Sequence, residues 1–152
     1  MINGNIDDNS TLSISEKSRA VVAKMKEHNL LSIGKGDNDV NTKDIYLLAM
    51  ALGLDEEPTS SIKGGESYTR TIYFKDFDRA LLVSALLENA NSTEDLLEFC
   101  DIKKAFSNSK GFTDAGFEVI DELAQSAMYD PELMVKKLLE YVEDLYDETI
   151  KR

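Results

Sequence analysis

This sequence has no tryptophan, one cysteine, one histidine and two prolines among its 152 residues. A lone cysteine excludes an intramolecular disulfide framework and a cysteine-based zinc cluster. A lone histidine excludes a two-histidine metal motif within one chain, and a di-iron bundle built on paired Glu-x-x-His segments. Long hydrophobic runs are also missing. The longest, Ile45–Leu52 and Ala80–Leu87, suit buried core helices and fall well short of the ~18 apolar residues that mark a membrane span. Residues 1–13 carry neither the basic nor the apolar region of a secretory signal, so a cytoplasmic location is the expectation. Positive charge is the scarcer sign: 17 Lys+Arg stand against 29 Asp+Glu, a net −12. That balance opposes broad binding to phosphate backbones.

What is present suits one folded domain. Apolar residues make up 42% of the chain, too many for wholesale disorder and enough for a real core at this length. Residues 1–10 read as a polar tail, and 11–152 as a single helical domain. Thr11–Ile14 alternates polar and apolar and reads as a short extended segment. Ser15 is placed to cap a helix from Glu16 to His28, with Val21, Val22 and Met25 on its apolar face. A second helix runs from Asn41 or Thr42 to Leu52. Gly53 stands just after it, where a positive φ would close the helix. Thr69–Phe74 is β-branched and aromatic, either a lone strand or an extended lead into the next helix. Asp76 opens a third helix to Asn89. A fourth begins at Ser92 or Thr93 and carries Leu96, Leu97, Phe99 and Cys100, with Cys100 expected as a buried, inert thiol. Ser107–Gly111 reads as a turn, and Thr113 as the cap of a fifth helix bearing Phe117, Val119, Ile120 and Leu123. Asp130-Pro131 is a clear helix start, and Met134, Leu138, Tyr141, Val142 and Leu145 give the last helix an apolar face. The expected fold class is all-α or nearly so: a bundle of about six helices, with 42–52 and 76–89 central and at most a minor extended segment.

The negative charge is unevenly spread. Residues 1–40 hold 5 basic and 6 acidic residues, 41–85 hold 5 and 7, and 86–152 hold 7 and 16. The last helix places Glu140, Glu143, Asp144, Asp147 and Glu148 at steps of three and four beside Tyr141 and Tyr146. These residues form the candidate interaction surface, an acidic rim around an aromatic anchor.

Other candidates are weaker. Asp37-x-Asp39-x-Asn41 copies the first three ligand positions of an EF-hand loop. The sixth position is Thr42 where glycine is needed, and the twelfth is Leu48 where a bidentate glutamate is needed. No metal ligand set follows. Lys63, Gly64 and Gly65, with Tyr68 and Arg70, form a candidate anion-binding loop, because amides freed by glycine can cradle an anion. It is not a P-loop: no G-x-x-x-x-G-K-[ST] is present. His28 sits at a helix end, where partial positive charge is favourable. No catalytic constellation, cofactor motif or nucleophile elbow is readable.

The order of extended segment 11–14, helix 16–28, loop and helix 42–52 resembles the ribbon-helix-helix family of small DNA-binding dimers. The resemblance lies in element order alone and spans residues 11–52. It implies a strand paired with its twofold mate, offering Thr11, Ser13 and Ser15 to the major groove with Lys17 and Arg19 behind. The long polar loop at 34–41 and the net acidity depart from that pattern. The expectation is therefore a small acidic accessory or regulatory protein, not an enzyme and with no cofactor. It would act through a protein partner with a basic surface and without membrane contact. The alternatives are a DNA mimic that inhibits a basic nucleic-acid-binding protein, or DNA binding through 11–52.

Overall fold

The computed structural model describes residues 10–32, 39–58, 66–90 and 92–151. The described residues form six helices and a two-stranded antiparallel sheet, in the order β1 (Thr11–Ile14), α1 (Glu16–Glu27), α2 (Asp39–Gly53), β2 (Glu66–Arg70), α3 (Asp76–Glu88), α4 (Thr93–Phe99), α5 (Ile102–Ser126) and α6 (Pro131–Lys151). The fold class is the nearly all-α one that the hydrophobic periodicity implied. Short 3-10 turns follow α1, at Leu30–Ser32, and β2, at Thr71–Tyr73.

Several local expectations hold. Ser15 caps α1, its hydroxyl accepting from the Ser18 N–H at 3.1 Å, and Val21, Val22 and Met25 are buried. Asp130 caps α6 by accepting from the Leu133 N–H at 2.8 Å, with Pro131 as the first helical residue. The two extended segments pair with each other: Thr11 faces Arg70 and Leu12 faces Thr69, and the register then slips so that Ser13 faces Ser67. The slip leaves Tyr68 as an extra residue in β2, a bulge that re-aims its side chain. β1 thus takes its ladder partner from its own chain, unlike the strand paired with a twofold mate that the family resemblance implies. Its apolar pair, Leu12 and Ile14, points into the core.

Three expectations are corrected. Ser107–Gly111 is not a turn. It lies inside α5, which runs unbroken for 25 residues. The turn-forming side chains there bond back onto the helix itself: Asn108 Nδ2 to the Lys104 carbonyl (2.8 Å), Ser109 Oγ to that of Phe106 (2.7 Å) and Thr113 Oγ1 to that of Ser109 (2.9 Å). Thr113 is accordingly mid-helix and buried, not a cap.

Gly53 is the last residue of α2 and does not adopt a positive φ. Its lack of a side chain serves a close helix crossing, since a Cβ there would lie 1.8 Å from the Phe112 carbonyl oxygen. Across the same crossing, a Cβ on Gly116 would lie 1.5 Å from the Ala49 carbonyl oxygen. Backbone therefore meets backbone at Ala49/Gly116 and Gly53/Phe112, and α2 and α5 form the central pair.

The third correction concerns α3. Leu82, Val83 and Leu86 are buried, but Phe77 is 77% and Leu81 48% exposed, so the helix is peripheral. Its run of apolar residues covers more of the helix surface than the neighbours bury.

The core lies between α2 and α5 and extends to α1, α3 and the sheet. Tyr46, fully buried, shares a 2.6 Å hydrogen bond with Ser109. Burial pushes its phenol up to about 12, against the smaller pull of its Ser109 and Thr113 hydrogen bonds. Phe74 meets Tyr46 and Phe106 edge-on at 6.0 and 5.0 Å.

An ion pair joins α2 to the first turn of α3: Lys43 Nζ lies 3.0 Å from Asp78, and both side chains are almost covered, at 11% and 14% exposure. Asp78 also accepts from the Lys75 N–H at 2.9 Å. Burial alone would push the Asp78 carboxyl up. The hydrogen bonds from Lys75 and Lys43 outweigh it and hold the group below its ordinary value. Its contribution to stability is therefore complete above the unfolded carboxylate range and is lost as pH falls through the lower folded value. Lys43→Met, which leaves Asp78 covered without its main cation, is expected to cost about 2 kcal/mol at neutral pH. Asp78→Asn is expected to flatten the fall of Tm between about pH 5 and about pH 2. Thermal melts across that range check both. An acid limb in Asp78→Asn as steep as the parent's would assign that limb to other carboxylates.

Candidate functional site: an acidic cleft beside the last helix

The sequence-derived surface on α6 divides between two sides of that helix. At 100° per residue, Met134, Leu138, Tyr141 and Leu145 form the row that meets the body of the protein. Met134 is buried and Leu138 and Tyr141 pack against the core. Glu140, Glu143, Asp144, Asp147 and Glu148 are all exposed. Tyr146, 65% exposed, lies on a different row from Tyr141. The two tyrosines therefore do not form one anchor.

Tyr141 marks where the negative charge gathers. Its phenol is held above the ordinary tyrosine value, first by burial and then by four carboxylates: Glu56, Asp55, Glu122 and Glu148. These come from three places in the chain: the segment after α2, the middle of α5, and α6. Next to them is a cleft of about 270 Å³ lined by Glu56, Glu57, Glu118 and Glu122 over a floor of Ala115 and Val119. Local folding accounts for the arrangement. α2 ends at Gly53 against α5, which delivers the Asp55-Glu56-Glu57 run to that helix. Glu118 and Glu122 stand one turn apart on α5. Glu118 is partly balanced by an ion pair with Lys17 of α1. Glu56, Glu57 and Glu122 have no such cation among the described residues. Such a group of carboxylates in one concavity raises the local concentration of cations. Among the described residues, no three His, Cys, Asp or Glu side chains are grouped to hold a metal ion.

Sequence reasoning named Glu148 and Tyr141 but missed Asp55, Glu56, Glu57, Glu118 and Glu122. The one signal available was the Asp55-Glu56-Glu57 run at a helix end, where three carboxylates oppose the helix dipole and so have no stabilising role there.

The other candidates fall elsewhere. Lys63, Gly64 and Gly65 lie outside the described residues, as does Asp37 of the EF-hand-like run. Tyr68 turns inward at the bulge, its ring edge-on to Phe117 at 6.1 Å, and burial raises its phenol. Arg70 is exposed, with its guanidinium 5.7 Å from the Tyr73 ring. Those two side chains do not converge on a common point. His28 forms the end of α1 and stacks on Tyr129 at 4.7 Å. Cys100 is half-buried where full burial was expected, because its neighbours Leu96 and Leu97 face outward at 45% and 72% exposure. A second concavity, about 230 Å³, lies between β1 and α5 with Lys103 and Lys110 on its wall.

No helix of the described residues is long and apolar enough to cross a membrane. Comparison of the chain with protein-family models, with curated proteins and with solved structures finds no match to any of them.

Proposed function

We propose that this chain is a small accessory or regulatory binding protein, not an enzyme, which captures a basic segment of a partner protein in the acidic cleft beside α6. One observation carries the reading: carboxylates of the segment after α2 and of α5 line one concavity, and two of them, Glu56 and Glu122, also act on the half-buried Tyr141 of α6. Lysine and arginine side chains suit that geometry. Their stems cover Ala115, Val119 and the Tyr141 ring while their charged heads reach the rim. Electrostatic complementarity of this kind speeds encounter and selects against acidic competitors. The exposed acidic face of α6, at Glu140, Asp144 and Glu148, extends the same field.

The test uses full-length protein and a labelled Lys/Arg-rich peptide, followed by fluorescence anisotropy. Combined Glu56→Lys, Glu57→Lys and Glu122→Lys is expected to weaken binding at least tenfold, about 1.4 kcal/mol. Binding to the parent should also fall steeply with added salt. All three side chains are on the surface, so unchanged melting separates lost binding from lost folding. A parent that ignores the peptide, or a triple variant that binds it as well as the parent does, would overturn the reading.

A further inference from the structure

α6 carries a second apolar row that the fold leaves uncovered. Val135, Leu139, Val142 and Tyr146 follow one another at steps of four, three and four, and are 46%, 58%, 46% and 65% exposed. Ile150 continues the row at 64%. On the helical wheel this row lies roughly 110° round from the one packed against the body. It is therefore distinct from that contact and lies on the opposite flank from the acidic cleft. A four-three-four spacing is that of a seam between two packed helices. Isolated exposed apolar residues are ordinary, whereas a continuous row of five is not.

We propose that this row pairs with the same row of a second copy, the two α6 helices running antiparallel. Charge on the rim of the row selects that occupant. The positions flanking the seam on its open side are Lys136 and Glu143, one heptad apart and opposite in sign. In an antiparallel pair centred between Leu139 and Val142, Val135 faces Tyr146 of the second copy, and Leu139 faces its Val142. That same register sets Lys136 against Glu143 of the second copy, and twofold symmetry repeats the pair at the other end. A parallel pair would set Glu143 opposite Leu138 and Lys136 opposite Pro131, so neither charge would meet its complement. The antiparallel assembly leaves both acidic clefts open, so it goes beyond the binding reading above and does not depend on it.

Sedimentation of the full-length protein over a micromolar concentration series tests the proposal. The parent is expected to show a reversible monomer–dimer equilibrium. Val142→Lys should weaken dimerisation at least tenfold. Lys136→Glu alone, which sets like charges together at both ends of the seam, should do the same. The double exchange Lys136→Glu with Glu143→Lys should restore the parent's dimer, which a parallel or unrelated interface would not do. Each changed residue is exposed, and an unchanged helical circular dichroism spectrum keeps folding separate from association. A parent that is monomeric throughout overturns the proposal and leaves the row to a foreign helix. So does a dimer indifferent to Val142→Lys, or one not rescued by the charge exchange.

Discussion

Gly116→Ala is expected to destabilise the protein by about 3 kcal/mol or more, although alanine is the better helix former. In an exposed helix the exchange would gain about 1 kcal/mol. Here the added methyl would lie 1.5 Å from the Ala49 carbonyl oxygen. The obstacle is backbone inside a helix, so no rotamer change relieves it, and α2 and α5 must separate. Separation loosens the packing along the whole central pair, including the Tyr46–Ser109 hydrogen bond and the aromatic group at Phe74. Overpacking in ordinary cores costs about 1–3 kcal/mol, and a backbone obstacle puts this site at or above the upper end. For a chain of this length the corresponding fall in Tm is roughly 6–12 °C. Gly53→Ala should act in the same direction, through the Phe112 carbonyl at 1.8 Å. Its effect should be smaller, because the end of a helix can fray away from the contact. Equal or higher Tm in Gly116→Ala would mean that the two helices are not in backbone contact.

The same glycine shows which parts of the fold a single sequence discloses. Element positions follow from local chemistry: Ser15 and Asp130 cap helices as their types and settings suggest, and the alternation of Leu12 and Ile14 reports a strand. Gly53 looked like a helix terminator because glycine most often follows a helix for its positive φ. Its real constraint is a neighbour 59 positions away in sequence, at Phe112, which no local window contains. Ser107–Gly111 misled for a related reason. Serine and asparagine favour turns when their side chains compete with the backbone, and glycine through its conformational freedom, yet here the Asn108 and Ser109 side chains bond to carbonyls of the helix they stand in. The apolar residues Ile102, Ala105, Phe106, Phe117 and Ile120, which fall on one helical face, were the better guide, because burial outweighs propensity.

The candidate site was legible only in part, for a physical reason. Charge spacing on one helix can be counted along the chain, so the acidic face of α6 was accessible. A cleft needs the relative placement of separate elements, here the segment after α2 and the middle of α5, and that placement is set by the α2–α5 crossing. The acidic excess after residue 85 includes Glu118, Glu122 and Glu148, while Asp55, Glu56 and Glu57 belong to a segment of the first half whose net charge is small.

Asp114→Ala is expected to cost about 3 kcal/mol, the second large effect. Asp114 is 6% exposed near the middle of α5, and its carboxylate accepts hydrogen bonds from the hydroxyls of both Ser15 and Ser18. Those are the N-cap and third residue of α1, so a negative group sits against the positive end of that helix dipole. Hydrogen bonds to a charged acceptor contribute about 1.5–3 kcal/mol each. Alanine removes both together with the dipole interaction and leaves a void beneath α1. Asp114→Asn keeps the volume but removes the charge, and should lose about half as much. Ser15→Ala removes the cap and one bond, and should cost about 1 kcal/mol. Because Ser15 and Asp114 act on each other, the double variant should be less destabilised than the sum of the two single ones. Denaturant titration of the four proteins measures that coupling. An Asp114→Ala midpoint within about 0.5 kcal/mol of the parent would show that α1 is held by its Val21, Val22 and Met25 face alone. The carboxylate would then be an incidental neighbour of the two serines.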